Sequence, residues 1–345
     1  MARPSKDPTP LQDLVLLAVP LCRQAQAQLP RRGPGRPAVV PDWLLAVFIM
    51  VAVLKRKKTK SAQYRFLCAH RDELACWLDE DRFPGRSTFF DRYRRAHRLF
   101  RQAVRLQGQQ AVADGLADPE LVAVDKSLLE GLGPRWHKRQ RHRGEVPAGV
   151  DVETTWGYSA HHGWVQGYSY EVVVTASAGG VVWPLLASVD TASASEATTF
   201  TDKIAELPSA TRYVAADSAY DVDAYARLIE EDEKGQPSGR RFLCPENPRN
   251  GTGQRPGRAG RRRQRRRALL KSRRGRKLYR RRSQTVEPFH EHLARVFEVE
   301  RAWHRGLDNN RTQVLAAVFA YQVLLRWNHR RGRPNARIKH IVDRL

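Results

Sequence analysis

Two aspartates stand directly after short apolar runs of the chain. Asp125 follows the run at residues 121–124, and Asp217 follows the run at residues 213–216. Each run predicts a short strand that ends at its aspartate, and strand ends in open α/β sheets face the crevice where ligands bind. A lone acid after a strand is commonly a helix cap or a loop residue, so the pair carries more weight than either member.

Paired carboxylates of this kind suggest metal-ion chemistry. Adjacent carboxylates repel each other, and a divalent cation relieves that repulsion. Oxygen ligands favour Mg²⁺ or Mn²⁺ over softer metals. Two such ions about 4 Å apart can activate a water molecule and stabilise the leaving oxygen of a phosphodiester. The expected cofactor is therefore Mg²⁺, with Mn²⁺ as the other possibility.

A third carboxylate would complete such a site, and Glu287 is the candidate. It is predicted to open a helix over residues 286–300, with Glu291 one turn further on and Ala294 a turn beyond. The small Ala294 is consistent with a helix side packed close to a sheet edge. An acid in the first turn is also favoured by the helix dipole, and composition alone favours that interpretation over catalysis.

The elements that must position these acids form a mixed α/β sheet from residue 119 onward. Pro184 lies inside one apolar run, which weakens that strand or places it near an edge. The predicted strands also include 167–176, 181–189 and 241–244, and the predicted helices are 195–207, 221–231 and 308–327.

Residues 1–118 are predicted to be helical. Their order of helix, helix, turn and basic helix fits a helix-turn-helix-like DNA-binding region, and a helical bundle with a solvated basic face fits equally well. The last helix carries Arg92, Arg94 and Arg95 as candidate DNA contacts. Arg36 lies in a Gly-Arg-Pro sequence that resembles the core of a minor-groove hook, although a stiff linker is the simpler interpretation.

The charge balance indicates a polyanionic partner. The chain has 345 residues, with 61 Lys and Arg against 36 Asp and Glu, a net charge of +25. Nucleic acid is the first candidate and an anionic membrane surface the second. The longest apolar run, residues 43–54, is too short to span a bilayer. Four cysteines without a CxxC pair exclude a disulfide scaffold, so a reducing compartment is expected.

Residues 249–282 are the most basic part of the chain, with 17 Lys or Arg and no acid. Such a block repels itself and is expected to be flexible unless bound. Phosphate contact by residues such as Arg262 and Arg266 is preferred over a merely solubilising loop. A second basic segment surrounds Trp136, which either stacks on an unpaired base or is buried in the sheet domain.

Four segments carry a resemblance to a known family: VAVDKS, WGYS…GWVQGYSYEVVV, VAADSAYD and YRRRSQTVEPFHEHL. They resemble the DDE transposases of bacterial insertion sequences, over about residues 35–330. The resemblance implies an RNase H-like catalytic domain in which Asp125, Asp217 and Glu287 are the catalytic, metal-binding acids. Tyr279 and Arg282 match the tyrosine and arginine that precede the glutamate in such enzymes, and Arg282 would contact a phosphate.

The implied organisation has four parts. Residues 1–118 form the helical DNA-binding region, 119–248 with 279–330 the catalytic domain, 249–278 a basic insertion, and 331–345 a loosely attached basic tail. The implied reaction begins when a metal-activated water cleaves the element end. The freed 3′-hydroxyl then attacks target DNA.

The implied partners are double-stranded DNA, namely terminal inverted repeats and target, and further copies of the chain in a dimer or larger synaptic assembly. Neither a membrane nor a small-molecule substrate is expected, and the implied location is the bacterial cytoplasm, at the nucleoid. The alternatives are an inactive or repurposed DNA-binding descendant of a transposase, and a host nuclease of the same fold.

Overall fold

The computed structural model of the chain describes residues 10–30, 38–159, 163–232, 234–250, 257–333 and 337–345. Arg36 lies outside the described residues. The strands are β1 (Leu121–Glu130), β2 (Thr155–Ser159), β3 (Gly163–Thr175), β4 (Pro184–Thr191), β5 (Tyr213–Ala215) and β6 (Arg241–Leu243). The helices are α1 (Pro10–Ala27), α2 (Asp42–Leu54), α3 (Lys60–Ala69), α4 (Arg71–Leu78), α5 (Arg86–Tyr93), α6 (His97–Ala113), α7 (Lys138–His142), α8 (Glu196–Thr199), α9 (Thr201–Ala205), α10 (Asp223–Glu230), α11 (Gly257–Lys271), α12 (Arg273–Phe297), α13 (Leu307–Arg330) and α14 (Ile338–Val342).

The strands form one mixed sheet in the order β2–β3–β1–β5–β6, and β4 pairs with the part of β3 that β2 does not reach. β1 is antiparallel to β3 and parallel to β5, and β6 is parallel to β5. The prediction of a mixed α/β sheet is confirmed. Pro184 begins β4, which among the described strands pairs only with β3, so the predicted edge position is confirmed as well.

The predicted end of β1 and the predicted helix over residues 195–207 are both wrong. β1 does not end at Asp125 but continues to Glu130, because the long strand β3 supplies backbone partners as far as Gly167. Residues 125–128 are half-buried in this extension, so polar and apolar side chains are both tolerated there. The helix predicted over residues 195–207 consists of the two short helices α8 and α9.

The N-terminal helices and the sheet share one hydrophobic core. Helices α1, α2, α6 and α13 pack together, and α6 and α13 cover β4. The apolar run at residues 43–54 is the buried length of α2. Gln322 of α13 joins the layers, since its Nε2 donates to the carbonyls of Val104 in α6 at 3.0 Å and Pro184 in β4 at 2.7 Å. The predicted boundary at residue 118 therefore falls within a continuous core.

The described helices include none with the combination of length and apolarity needed to cross a bilayer.

Arg92 is held between two helices rather than facing outward. Its guanidinium donates to the carbonyl of Val40 and forms an ion pair with Asp42 at the start of α2. The side chain therefore joins α5 to α2, and DNA contact by Arg92 stays a prediction. Arg94 and Arg95, just after α5, are exposed and remain candidate DNA contacts.

A buried histidine couples α5 to the segment before α13. His304 Nε2 and the Tyr93 hydroxyl are hydrogen-bonded at 3.1 Å, and their rings lie edge to face. Burial lowers the pKa of His304 to about 3, and the charge of Lys60 adds to this effect. Because the unfolded state binds this proton near pH 6.5 and the folded state does not, His304 contributes stability above pH 6.5 that is lost as the pH falls.

We therefore expect His304→Asn to reduce the pH dependence of unfolding. Between pH 7.5 and 5.5 the free energy of unfolding of the unmodified protein should fall by about 1.4 kcal/mol more than that of the variant. Urea titrations at the two pH values measure the difference. Equal pH dependence in both proteins would show that His304 takes up its proton in the folded state.

The basic insertion, in its part from residue 257 onward, is folded against the sheet domain. Helix α11 packs on β6 and α12, and its arginines pair with acids of residues 221–246. Arg262 forms ion pairs with Asp223 at 2.5 Å and Glu231 at 2.8 Å, and Arg266 pairs with Asp221 at 2.7 Å. The prediction of a flexible block is wrong for its described part, because these acids neutralise the inward face. Arg262 and Arg266 are buried and not available to DNA.

The C-terminal tail is also attached in its described part. Ile338 and Val342 of α14 are buried in the core. The side chain of Lys55 donates to the carbonyl of Leu345, and Arg56 forms an ion pair with Asp343 at 2.6 Å. The expectation of a loosely attached tail is wrong for residues 337–345.

Candidate active site

Three elements converge on the two aspartates. Asp125 lies on β1 opposite Val172 of β3, beyond the point where β1 stops pairing with β5. Asp217 lies two residues after β5 and accepts a hydrogen bond from the Ala219 amide at 2.9 Å. Because β1 and β5 are parallel neighbours, both aspartates lie at the same end of the sheet. Helix α12 crosses this end and packs on β1 and β5.

Arg282 of α12 lies between the two aspartates. Its Nη2 is 2.8 Å from Asp125 Oδ1 and 3.8 Å from Asp217 Oδ2. The structure thus places Arg282 against the carboxylates, and the predicted phosphate contact is untested. The guanidinium of Arg282 thus supplies one positive charge that partly offsets the two negative charges of Asp125 and Asp217.

Both aspartates are less acidic than usual. Burial raises the pKa of Asp125, the guanidinium of Arg282 opposes that increase, and the charge of Glu287 adds to it. Burial and then the charge of Asp125 raise the pKa of Asp217. The side chain of Asp125 is 16% exposed and that of Asp217 is 40% exposed, so solvent reaches the site from the Asp217 side. This electrostatic balance favours an additional cation.

His290 is a site residue that was not predicted from the sequence. Its Nε2 is 3.8 Å from Asp125 Oδ2, and its Nδ1 is hydrogen-bonded to the Tyr170 hydroxyl at 3.1 Å. Burial, assisted by Arg282, lowers the pKa of His290 to about 3, so the imidazole is neutral. Its position two turns after Arg282 on α12 is the signal that could have identified it, since residues eight apart share a helix face.

Comparison with known families matches residues 116–323 to the transposase DDE domain. The match covers more than half of the chain and runs from just before β1 into α13. The chain belongs to the DDE transposase family. Neither the curated proteins nor the solved structures include a match to this chain. The mixed sheet with flanking helices is the architecture expected of an RNase H-like DDE domain.

The third predicted acid of the DDE domain lies in the middle of α12. Glu287 does not open a helix, because α12 begins at Arg273, where Ser272 caps it by accepting from the Gly275 amide. The first-turn interpretation of Glu287 is therefore wrong. Glu287 is exposed and close enough to raise the pKa of Asp125. Glu291, one turn on, pairs with Arg295 at 2.9 Å on the exposed side of the helix.

Carboxylates that converge on a buried position suit a divalent cation. In the described part of the chain, no group of three or more His, Cys, Asp or Glu side chains is gathered tightly enough to hold a metal ion. The oxygen donors of Asp125 and Asp217 nevertheless suit Mg²⁺ or Mn²⁺, and Arg282 already holds a positive charge against both. The residues present therefore fit such an ion at this end of the DDE domain.

A fully buried acid, Glu171, supports the turn that carries Asp217. Glu171 of β3 forms an ion pair with Lys203 at 2.6 Å, and their side chains are 2% and 4% exposed. Glu171 also accepts hydrogen bonds from the hydroxyls of Tyr220 and Thr199, both at 2.8 Å. Since Tyr220 is three residues from Asp217, this network fixes the Asp217 turn against β3. No role for Glu171 was predicted from the sequence, because its partners are distant along the chain.

The remaining predicted DNA contacts differ in exposure. Tyr279 is half-buried on the same helix as Arg282. Trp136 is half-buried as well: its Nε1 donates to the carbonyl of Glu145 at 2.7 Å, and the guanidinium of Arg141 covers its ring at 4.6 Å. The ring of Trp136 is therefore already stacked against Arg141. Stacking of this ring on an unpaired base stays a prediction.

Proposed function

We propose that the protein is a DNA transposase that cleaves phosphodiester bonds at the ends of an insertion sequence and joins them to target DNA. The observation that carries the proposal is the convergence of Asp125 and Asp217 on one guanidinium at one end of a DDE domain. The proposed substrates are the terminal inverted repeats and target DNA, bound by a dimer or larger assembly in the bacterial cytoplasm at the nucleoid.

Each acid has a proposed task. Asp125, Asp217 and Glu287 would hold Mg²⁺ or Mn²⁺, which supplies an activated water and charge stabilisation at the scissile phosphate. Asp125 is fixed by its strand and by Arg282, so it gives a rigid ligand. Asp217 is held by its turn and faces solvent, where DNA would enter. The neutral imidazole of His290 keeps the far side of Asp125 free of a second positive charge.

Two roles of Arg282 follow from its position. It neutralises the aspartates while they have no other cation, and its guanidinium can form a bidentate contact with a phosphate. Both roles place Arg282 within the site. Tyr279, one turn earlier on α12, would contact the same DNA end.

A cleavage assay tests this proposal. The protein is incubated with DNA duplexes that carry the sequences flanking its gene, and strand cleavage is measured. With Mg²⁺ or Mn²⁺ we expect nicks at the element end and, with a target plasmid, joined products. Cleavage without joining would indicate a nuclease of the same fold. Binding of those ends without any cleavage would indicate a DNA-binding descendant of a transposase.

The outward face of α12 is the proposed duplex-binding surface. Arg273, Lys277 and Arg280 are exposed there, and within the described chain no acid forms an ion pair with any of them. Such cations release counterions from DNA when they bind phosphates, which makes affinity depend on salt. The three residues lie in the turns of α12 that precede Arg282 but on the opposite face of the helix, so bound DNA would pass along α12 beside the aspartates.

Changing Arg273, Lys277 and Arg280 together to Gln should weaken duplex binding for any sequence. The slope of log K against log salt should fall in magnitude by about 0.9 for each phosphate that the variant no longer neutralises, or roughly 3 in all. Fluorescence anisotropy at several salt concentrations measures it. Arg301→Gln, which removes a cation that is already paired with Glu130, serves as the matched control. An unchanged slope in the triple variant would place the DNA elsewhere.

A further inference from the structure

Two aromatic rings are exposed side by side on the hairpin formed by β2 and β3. Tyr158 and Trp164 are 62% and 65% exposed, although both are large apolar side chains. They are paired across the hairpin, and their ring centroids are 5.5 Å apart in an edge-to-face arrangement. Adjacent exposed rings form an apolar patch of the kind that marks an interaction surface.

The same face of the hairpin supports a basic segment. Trp156 lies two residues from Tyr158 and therefore on the same face of β2. Its Nε1 donates to the carbonyl of Trp136 at 3.0 Å, and its ring lies 5.9 Å from that of His137. These contacts anchor α7 and the loop before it next to the two exposed rings.

Cations are available on this segment. Arg135, Lys138 and Arg139 are exposed, and no acid of the described chain forms an ion pair with them. Arg141 is occupied with the ring of Trp136 and the carbonyl of Thr154. Trp136 and Arg141 thus form the support of the surface, while the exposed rings and these three cations form its outer layer.

We propose that Tyr158 and Trp164, with Arg135, Lys138 and Arg139, bind single-stranded DNA by stacking on its bases and contacting its phosphates. Aromatic rings beside exposed cations are the arrangement that recognises unpaired nucleotides. An acidic protein partner would satisfy the cations but leaves the two rings unexplained. The inference rests on the proposed function for its choice of DNA as the partner.

The surface is separate from the catalytic aspartates. Trp164 and Val172, the strand partner of Asp125, are eight residues apart on β3, or about 26 Å at 3.3 Å per residue. Substitutions of the rings therefore leave Asp125 and Asp217 unchanged. The DNA bound here would be a strand distant from the scissile phosphate rather than the cleaved nucleotide itself.

Binding of a fluorescent 20-nucleotide oligo(dT) to the full chain tests the proposal, with a random 20-base-pair duplex measured in parallel at the same salt. Tyr158→Ala and Trp164→Ala should each weaken oligo(dT) binding about 10-fold, within the range of one missing base stack, and duplex binding less than about 2-fold. Trp164→Phe should retain most of the affinity. Leu228→Ala, which removes another exposed apolar side chain, is the control and should change neither.

Several results would overturn the inference. One is oligo(dT) affinity that is unchanged in both alanine variants, and another is an equal loss for oligo(dT) and duplex. A third is an alanine variant that binds oligo(dT) normally but sediments as a smaller oligomer, which would make the rings an interface between copies of the chain. If oligo(dT) binding depends on the rings but the protein does not cleave element ends, only the proposed function is contradicted. If the protein cleaves ends normally but oligo(dT) binding does not depend on the rings, only this inference is contradicted.

Discussion

Replacing Asp125 or Asp217 with Asn is expected to lower the rate of DNA end cleavage by roughly 10²- to 10³-fold or more, with little change in DNA affinity. Asparagine keeps the shape of the side chain but removes the charge that a divalent cation requires. The loss of one preorganised charge at a transition state has effects of this size. The comparison requires Mg²⁺-dependent nicking rates and anisotropy at one salt concentration.

Two controls make this expectation specific. Asp125→Asn weakens the pair with Arg282, so melting curves must show that each variant is folded. Glu287→Gln should lose cleavage as the aspartate variants do, whereas Glu291→Gln, one turn further along α12 and exposed, should cleave normally. Cleavage that survives Glu287→Gln and is abolished in Glu291→Gln would transfer the third role to Glu291.

Breaking the buried pair of Glu171 and Lys203 is expected to cost about 3–5 kcal/mol of stability. Lys203→Met leaves the Glu171 carboxylate buried with only hydroxyl partners, and Glu171→Gln leaves the Lys203 ammonium without its counter-charge. An uncompensated buried charge is the reason for the large effect. The double variant Glu171→Gln with Lys203→Met should recover part of the loss, because no buried charge then remains.

Urea unfolding of the two single variants and the double variant measures this prediction. The exposed pair of Glu291 and Arg295 is the matched control, and its removal should change the free energy of unfolding by about 0–1 kcal/mol. Because Tyr220 links Glu171 to the Asp217 turn, the single variants should also lose cleavage at temperatures where they remain folded. A loss of stability below about 1 kcal/mol in both single variants would contradict a structural role for this network.

The strands that precede Asp125 and Asp217 could be predicted from the sequence, but the full length of β1 could not. The apolar runs before Asp125 and Asp217 identify β1 and β5, since buried parallel strands are apolar on both faces. They do not reveal that β1 continues to Glu130, because its polar second half is stabilised by backbone pairing with β3. That pairing depends on β3 residues from Gly167 onward, which are distant along the chain.

The basic insertion shows a second limit of the sequence. An arginine run without acids predicts mutual repulsion. The acids that neutralise Arg262 and Arg266 lie 31 to 45 residues earlier, on α10 and around it, and only folding brings them together. The start of α12 was missed for a related reason. The helix begins among the arginines at Arg273 and continues through Pro288, whereas the mutual repulsion expected of the arginines argued against a helix there.

The most direct test of the central claim locates the metal ion without any knowledge of the DNA ends. Fe²⁺ replaces Mg²⁺ in the protein, and ascorbate with peroxide then generates hydroxyl radicals that cut the backbone beside the bound ion. We predict cuts near Asp125, Asp217 and Glu287, which disappear with excess Mg²⁺ and in the Asp125→Asn and Asp217→Asn variants. Cuts that cluster elsewhere, or that persist in both variants, would contradict the assignment of this site.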